Sequence, residues 1–516
     1  MAVSPYLRTF APPCKQKEKQ IFLQMKAIKY LFLGALLMGS STAVLAQDGT
    51  KADVDAMKAL VKNKPADYDK QVKNYIKANK KNAENLVAIG RVLYEADDTL
   101  NAKAFAEQAL TATKRSCAPA YILLGDISAK ADDGGAAAQN YEQAILADPK
   151  NPDPYRRYAT VYRKISPEGA VQKLEELRQE RPDYPVDALI GHINYISLRY
   201  GKANEAFSRV PINDLSRMDY IEYAMSNYHG RQYDKALEIV KAGLSKEELN
   251  ATLNRIAMMC SNELKQYPAA LKYAETLFTK VDKDSVTLSD IDYENYGKAL
   301  DGCEQFEGAI EKYKAALALP EVDEAMKANL YKSLSDSYKG MKDFPDAIDY
   351  YKRFLETKAD ADATDHAGLA LLHNNHARSI RGDKKPADLT PEENEAVTAA
   401  MKKADEAYAA LVEKFADAEE YALWQRGRLN AQMDADMSQA LANPHFTRLA
   451  ELITAHEEMD DTDKTRLFDA YAYLMRYHLK NKDNQQAYEY ALKLQELQPD
   501  DPDVKSAVEA LAKVAK

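Results

Sequence analysis

Tryptophan occurs once in this 516-residue chain, and cysteine only four times. Cys14 lies near the start, which leaves Cys117, Cys260 and Cys303, far apart and odd in number. That excludes a disulfide framework and a CxxC redox or metal motif. Glycine (19) and proline (20) are sparse, and continuous β-branched runs are scarce. A turn-rich β architecture is therefore excluded, and an all-helical chain is expected. Basic residues are outnumbered, 70 against 80, for a net charge of −10, which argues against nucleic acid as a partner. No phosphate-binding loop, nucleophile elbow or HExxH helix occurs, and "HEEMD" at His456 has Asp460 where the second histidine would stand.

Long hydrophobic runs are also missing, apart from one short segment near the start. Met25 is followed by Lys26 and Lys29, then by the apolar stretch Leu31 to Met38 and the small-residue site Val44-Leu45-Ala46. This is the pattern of a secretory signal peptide. The apolar core is too short for the ~30 Å of a bilayer interior. Residues 1–24 fit no targeting pattern, so translation is expected to start at Met25, and 1–46 is read as an upstream leader plus signal peptide. Removing 1–46 leaves 64 basic and 79 acidic residues, a net of −15. An exported, periplasmic protein of a Gram-negative bacterium is the expectation.

What the chain does have is self-similarity. An alanine followed by residues at +4 and +7 recurs eleven times, led by Ala102, Ala137, Ala170, Ala203, Ala236, Ala270, Ala309, Ala347, Ala404, Ala442 and Ala487. The spacings are 35, 33, 33, 33, 34, 39, 38, 57, 38 and 45 residues. Ala137/Tyr141/Ala144, Ala309/Tyr313 and Ala347/Tyr351 are typical. Positions four and seven apart share a helical face, so each set reads as a packing stripe. A second helix precedes each stripe, marked by Tyr121, Leu124 and Gly125 in one unit and by Tyr293, Tyr296 and Gly297 in another. Pro149, Pro182 and Pro499 mark the unit boundaries.

Tyr121, Leu124, Gly125, Ala137, Tyr141, Ala144 and Pro149, with Ser128 at a position that is normally tyrosine, make the chain similar to the tetratricopeptide repeat (TPR) family. The resemblance covers roughly 81–499. It implies an all-α, TPR-type α-solenoid, a right-handed superhelix of about eleven helical hairpins, whose first helices line a concave binding surface. One hairpin cannot bury both of its faces, but a stack can. Residues 47–80 are read as N-terminal capping helices and 81–360 as a regular array. An irregular array follows at 361–499, with an insertion at 381–395 ("RGDKKPADLTPEENE") and a new helix start at Thr390-Pro391. Residues 500–516 are read as a C-terminal capping helix.

Chemistry-bearing candidates are few. His373 and His376 lie three apart on one helical face and could share a metal, while His366 is two turns away; surface histidines are the competing reading. The acidic runs Asp360-Asp362-Asp365 and Asp282-Asp284 lack the glycine and glutamate of a calcium loop. Trp424, Arg426, Arg428 and Asn430 cluster on one helix of an acidic chain and suit peptide or carboxylate binding. The competing reading packs Trp424 between repeats and pairs the arginines with Glu419, Glu420 or Asp434. The expected function is a non-enzymatic scaffold of the cell envelope, without cofactor, that binds a protein or peptide. The alternative is a periplasmic assembly factor or chaperone for outer-membrane or secreted polypeptides.

Overall fold

The computed structural model describes residues 48–282 and 286–515. The leader, the signal peptide and Asp284 lie outside the described residues. The chain divides into two compact units, one ending at Val286 and the other starting at Thr287. All regular structure among the described residues is helical, in 25 α-helices.

In the first unit, α1 (Asp48–Asn63) and α2 (Tyr68–Asn79) precede six hairpins. These are α3 (Ala83–Glu95) with α4 (Thr99–Ala112), α5 (Ala118–Lys130) with α6 (Gly134–Ala147), and α7 (Pro152–Tyr162) with α8 (Pro167–Glu180). Then come α9 (Val186–Ile196) with α10 (Tyr200–Phe207), α11 (Arg217–His229) with α12 (Tyr233–Lys246), and α13 (Ala251–Glu263) with α14 (Tyr267–Glu275). The second unit holds five: α15 (Asp290–Gly302) with α16 (Phe306–Leu317), α17 (Glu324–Gly340) with α18 (Phe344–Thr357), and α19 (Ala363–Arg381) with α20 (Pro391–Lys414). The last two are α21 (Glu419–Met433) with α22 (Asn443–Thr454) and α23 (Asp461–Lys480) with α24 (Asn484–Leu497), followed by α25 (Pro502–Leu511).

Each unit is an α-solenoid of the tetratricopeptide type. The eleven leading alanines belong to the second helix of each hairpin, Ala442 capping the start of α22, and every one is fully buried. A methyl group is all the seam admits there, so successive helices approach closely. The +4 residues are buried too, Tyr141, Phe207, Tyr313, Tyr351, Tyr408 and Phe446 among them. Their rings fill the place of a missing side chain opposite. A Cβ on Gly125 would come within 2.3 Å of the Tyr141 ring, and a Cβ on Gly297 within 2.3 Å of Tyr313. Tyr121 and Ala144 are buried beside them, Leu124 is half-buried, and Pro149 is exposed in the turn between α6 and α7.

The turns inside the hairpins repeat as well. Eight place a non-glycine residue at positive φ, among them Asp97 (63°), Asp132 (56°), Lys265 (58°), Glu304 (60°) and Lys342 (64°). The next residue then donates its N–H five positions back, as Asp98 does to Leu93 and Asp343 to Tyr338. This closes the end of the first helix. In four of the eight that same residue is an aspartate that caps the second helix, as Asp98 does at Asn101 and Asp343 at Asp346.

The pattern changes in the second unit. Helices α19 and α20 are long, at 19 and 24 residues. Gly382 (φ 57°) ends α19, and Thr390 starts α20 with a capping box to Glu393. Between α21 and α22 the longer loop winds around the buried carboxylate of Asp434, which accepts from the Gln439 and Leu441 backbone N–H groups.

Candidate binding surface

Within the units, first helices lie beside first helices. In the first unit α3 touches α5, and α7, α9, α11 and α13 touch in sequence; in the second, α15 touches α17 and α21 touches α23. Polar groups joining these neighbours are spaced about one repeat apart. Asp126 on α5 is buried and accepts from Arg157 Nη1 of α7 at 2.6 Å and from the Tyr141 hydroxyl of α6 at 2.8 Å. Arg91 of α3 pairs with its other oxygen. One carboxylate thereby fastens three hairpins. Two cations and a hydroxyl offset the cost of burying it.

Other joints use different chemistry. Glu222 of α11 is buried and meets His192 Nδ1 of α9 at 2.8 and 2.9 Å. Burial pushes its carboxyl up, and the His192 contact opposes this. Asp301 of α15 accepts from the Tyr313 hydroxyl (2.7 Å) and from Ser337 Oγ of α17 (2.7 Å). Tyr351 donates to the Asp365 carbonyl at 2.9 Å. The sequence reading missed the residues of these joints. Partner spacings of 35, 31 and 30 residues, close to the repeat period, were the available signal.

The cluster on α21 is only partly free. Arg426 makes a two-pronged bond to Asp405 of α20, at 2.9 and 3.1 Å, and Asn430 donates to the same carboxylate at 2.8 Å. Trp424 is half-buried, with Nε1 donating to Asp469 of α23 at 2.8 Å. Arg428 is exposed and stacks on the indole with 4.7 Å to the ring centroid. The acids expected as arginine partners are used elsewhere. Glu419 pairs with Arg448, Glu420 with His456 and Arg466, and Asp434 holds its own loop. The free Trp–Arg–Arg–Asn set thus reduces to Trp424 and Arg428, because Asp405, 21 residues from Arg426, reaches it across the seam.

The histidines are placed against the metal reading. His373 is buried and His376 stacks on the Phe344 ring at 5.6 Å. Burial first, then the positive charge of Lys352 and Lys403, pushes the His373 imidazole down to about 4. Nearby cations that disfavour imidazolium would disfavour a dication as well. His366 packs on Phe415. Among the described residues no group of three or more His, Cys, Asp or Glu has the geometry for a metal ion. Asp362 and Asp365 form a capping box for α19. His456 joins two carboxylates, with Nδ1 on Asp463 (2.9 Å) and Nε2 on Glu420 (2.8 Å). Cys260 is buried, and burial pushes its thiol up to about 12. No helix among the described residues is long and apolar enough to cross a membrane.

No protein-family model matches the chain, and no curated protein does. Solved structures similar to it include the C-terminal part of a TPR repeat-containing protein from Cytophaga hutchinsonii. It is 22% identical, with 56% of this chain and 99% of that one covered and a TM-score of 0.44. A tetratricopeptide repeat protein from Parabacteroides merdae is 19% identical, covering 49% and 98% of the two chains at a TM-score of 0.34. Pseudomonas aeruginosa pilF is 21% identical, covering 38% and 91% at 0.31. The fold assignment rests on the hairpins themselves, not on these partial likenesses.

Proposed function

We propose that this chain is a non-catalytic docking scaffold of a Gram-negative cell envelope, holding a protein or peptide on its first-helix surface. The observation that carries the reading is the exposed Arg428 stacked on Trp424 on one such helix. Aromatic–arginine pairs of this kind anchor protein interfaces. Side chains held on a packed stack bind with little ordering cost. The polar joints described above are all spent on fastening hairpins, and none presents a nucleophile with a base. The signal-peptide pattern at 25–46 supports export.

Affinity capture from native envelope extract with the chain from Gln47 tests this. One or two partners are expected, with recovery falling at least about tenfold for Arg428→Ala at unchanged helical content. Equal recovery of many unfolded polypeptides would favour the assembly-factor reading. N-terminal sequencing of the native protein is expected to begin near Gln47, and an intact Met1 would remove export.

A further inference from the structure

We infer that Arg378, Arg428 and the Tyr408 hydroxyl form a receptor for a carboxylate brought by the partner, an aspartate or glutamate side chain of a bound peptide. This rests on the scaffold reading and gives its site a chemistry. The argument comes from comparing hairpins of the same chain.

Four second helices carry a tyrosine four residues after the leading alanine: Tyr141, Tyr313, Tyr351 and Tyr408. Tyr141 ends on Asp126, Tyr313 on Asp301 and Tyr351 on the Asp365 carbonyl. Tyr408 is fully buried, with the Tyr421 ring edge-on at 6.0 Å, and its hydroxyl has no hydrogen-bond acceptor within the protein. Around Tyr141, arginines from the preceding and following first helices close on the acid between them. Around Tyr408 the arginines are again present: Arg378 of α19 and Arg428 of α21 both act electrostatically on the phenol, opposing the upward push of burial. The acid is what differs. Both arginines are exposed, and neither has an ion-pair partner among the described residues, in a chain with more acids than bases.

This donor set is the one that satisfies the Asp126 carboxylate elsewhere in the fold. Two guanidiniums and a hydroxyl match a carboxylate's oxygens. Trp424 holds Arg428 in place from one face, so less freedom is lost on binding. Trp424 and Tyr421 add apolar surface for the residues flanking the bound acid.

Trp424 is the only tryptophan, so its fluorescence reports on this site alone. The chain from Gln47 would be titrated at constant ionic strength with end-capped hexaglutamate, with end-capped hexaglutamine and with inorganic phosphate. Labelled-peptide anisotropy gives a second readout that does not depend on the indole. Hexaglutamate is expected to bind, and Arg378→Gln or Arg428→Gln to weaken it by about tenfold or more each. Tyr408→Phe, which keeps the buried ring, is expected to weaken it about threefold. Equal binding of hexaglutamine, equal binding of phosphate, or full binding by the double arginine variant overturns the receptor. Partner capture unaffected by that double variant overturns the receptor and leaves the scaffold. Absence of any captured partner while hexaglutamate still binds overturns the scaffold reading.

Discussion

Gly125 and Gly297 have no side chain because the opposing tyrosine ring occupies that space. Each ring is buried and its hydroxyl is tied to an aspartate, so it cannot swing aside. Gly125→Ala and Gly297→Ala are each expected to lower stability by about 1–3 kcal/mol, measured by urea unfolding. A loss below the error of the measurement would mean the seam is looser than described. The turn residues give the opposite sign. Lys342 sits at φ 64°, where a Cβ is strained and glycine is not. Lys342→Gly is expected to raise stability by about 1 kcal/mol. Packing residues such as Ala137 and Tyr141 were legible in the sequence because burial of one helical face leaves a local period. The binding candidates were not legible in that way. Arg426 and Arg428 stand two apart and look alike in the chain, yet one faces Asp405 and the other faces solvent. That distinction is set by which side of the helix meets α20.

At the scale of helices, two histidines give the pH response opposite signs. His456 is held by Asp463 and Glu420, and the Asp463 hydrogen bond leads in raising its pKa. The charged form is favoured in the fold, so this stabilisation is present below the ordinary histidine value of about 6.5 and is lost as pH rises through the folded value. His373 is pushed down to about 4 by burial and nearby lysines, so its neutral form is favoured. The unfolded chain takes up that proton near pH 6.5 and the folded one only near 4, so stability falls as pH drops through that window. Thermal melts from pH 4 to 9 are expected to flatten on the alkaline side in His456→Gln and on the acid side in His373→Gln. Unchanged profiles would show that neither contact survives in solution. The histidine spacing suggested a ligand pair in the sequence. What decided otherwise was the surrounding charge, contributed by Lys352 of α18 and Lys403 of α20, which the spacing does not encode.

For the chain as a whole, each hairpin is stabilised chiefly by its neighbours, so unfolding need not be one event. Circular dichroism averages over all helices, whereas Trp424 reports only on the α21 region. The two urea transitions are expected to have different midpoints, and coincident curves would show that the array melts as a unit. The repeat count and the all-helical class were readable from eleven alanines because a stack repeats its apolar contacts. The order of the hairpins is held by different means. Apolar seams are nearly interchangeable, but Arg91, Asp126 and Arg157 match only in their present succession, as do His192 and Glu222. Charges buried at the joints therefore work as addresses. A chain rebuilt with the α9–α10 hairpin in the place of α5–α6 would keep its oily seams and set two arginines facing an imidazole, so the sequence of modules is written in its few polar joints.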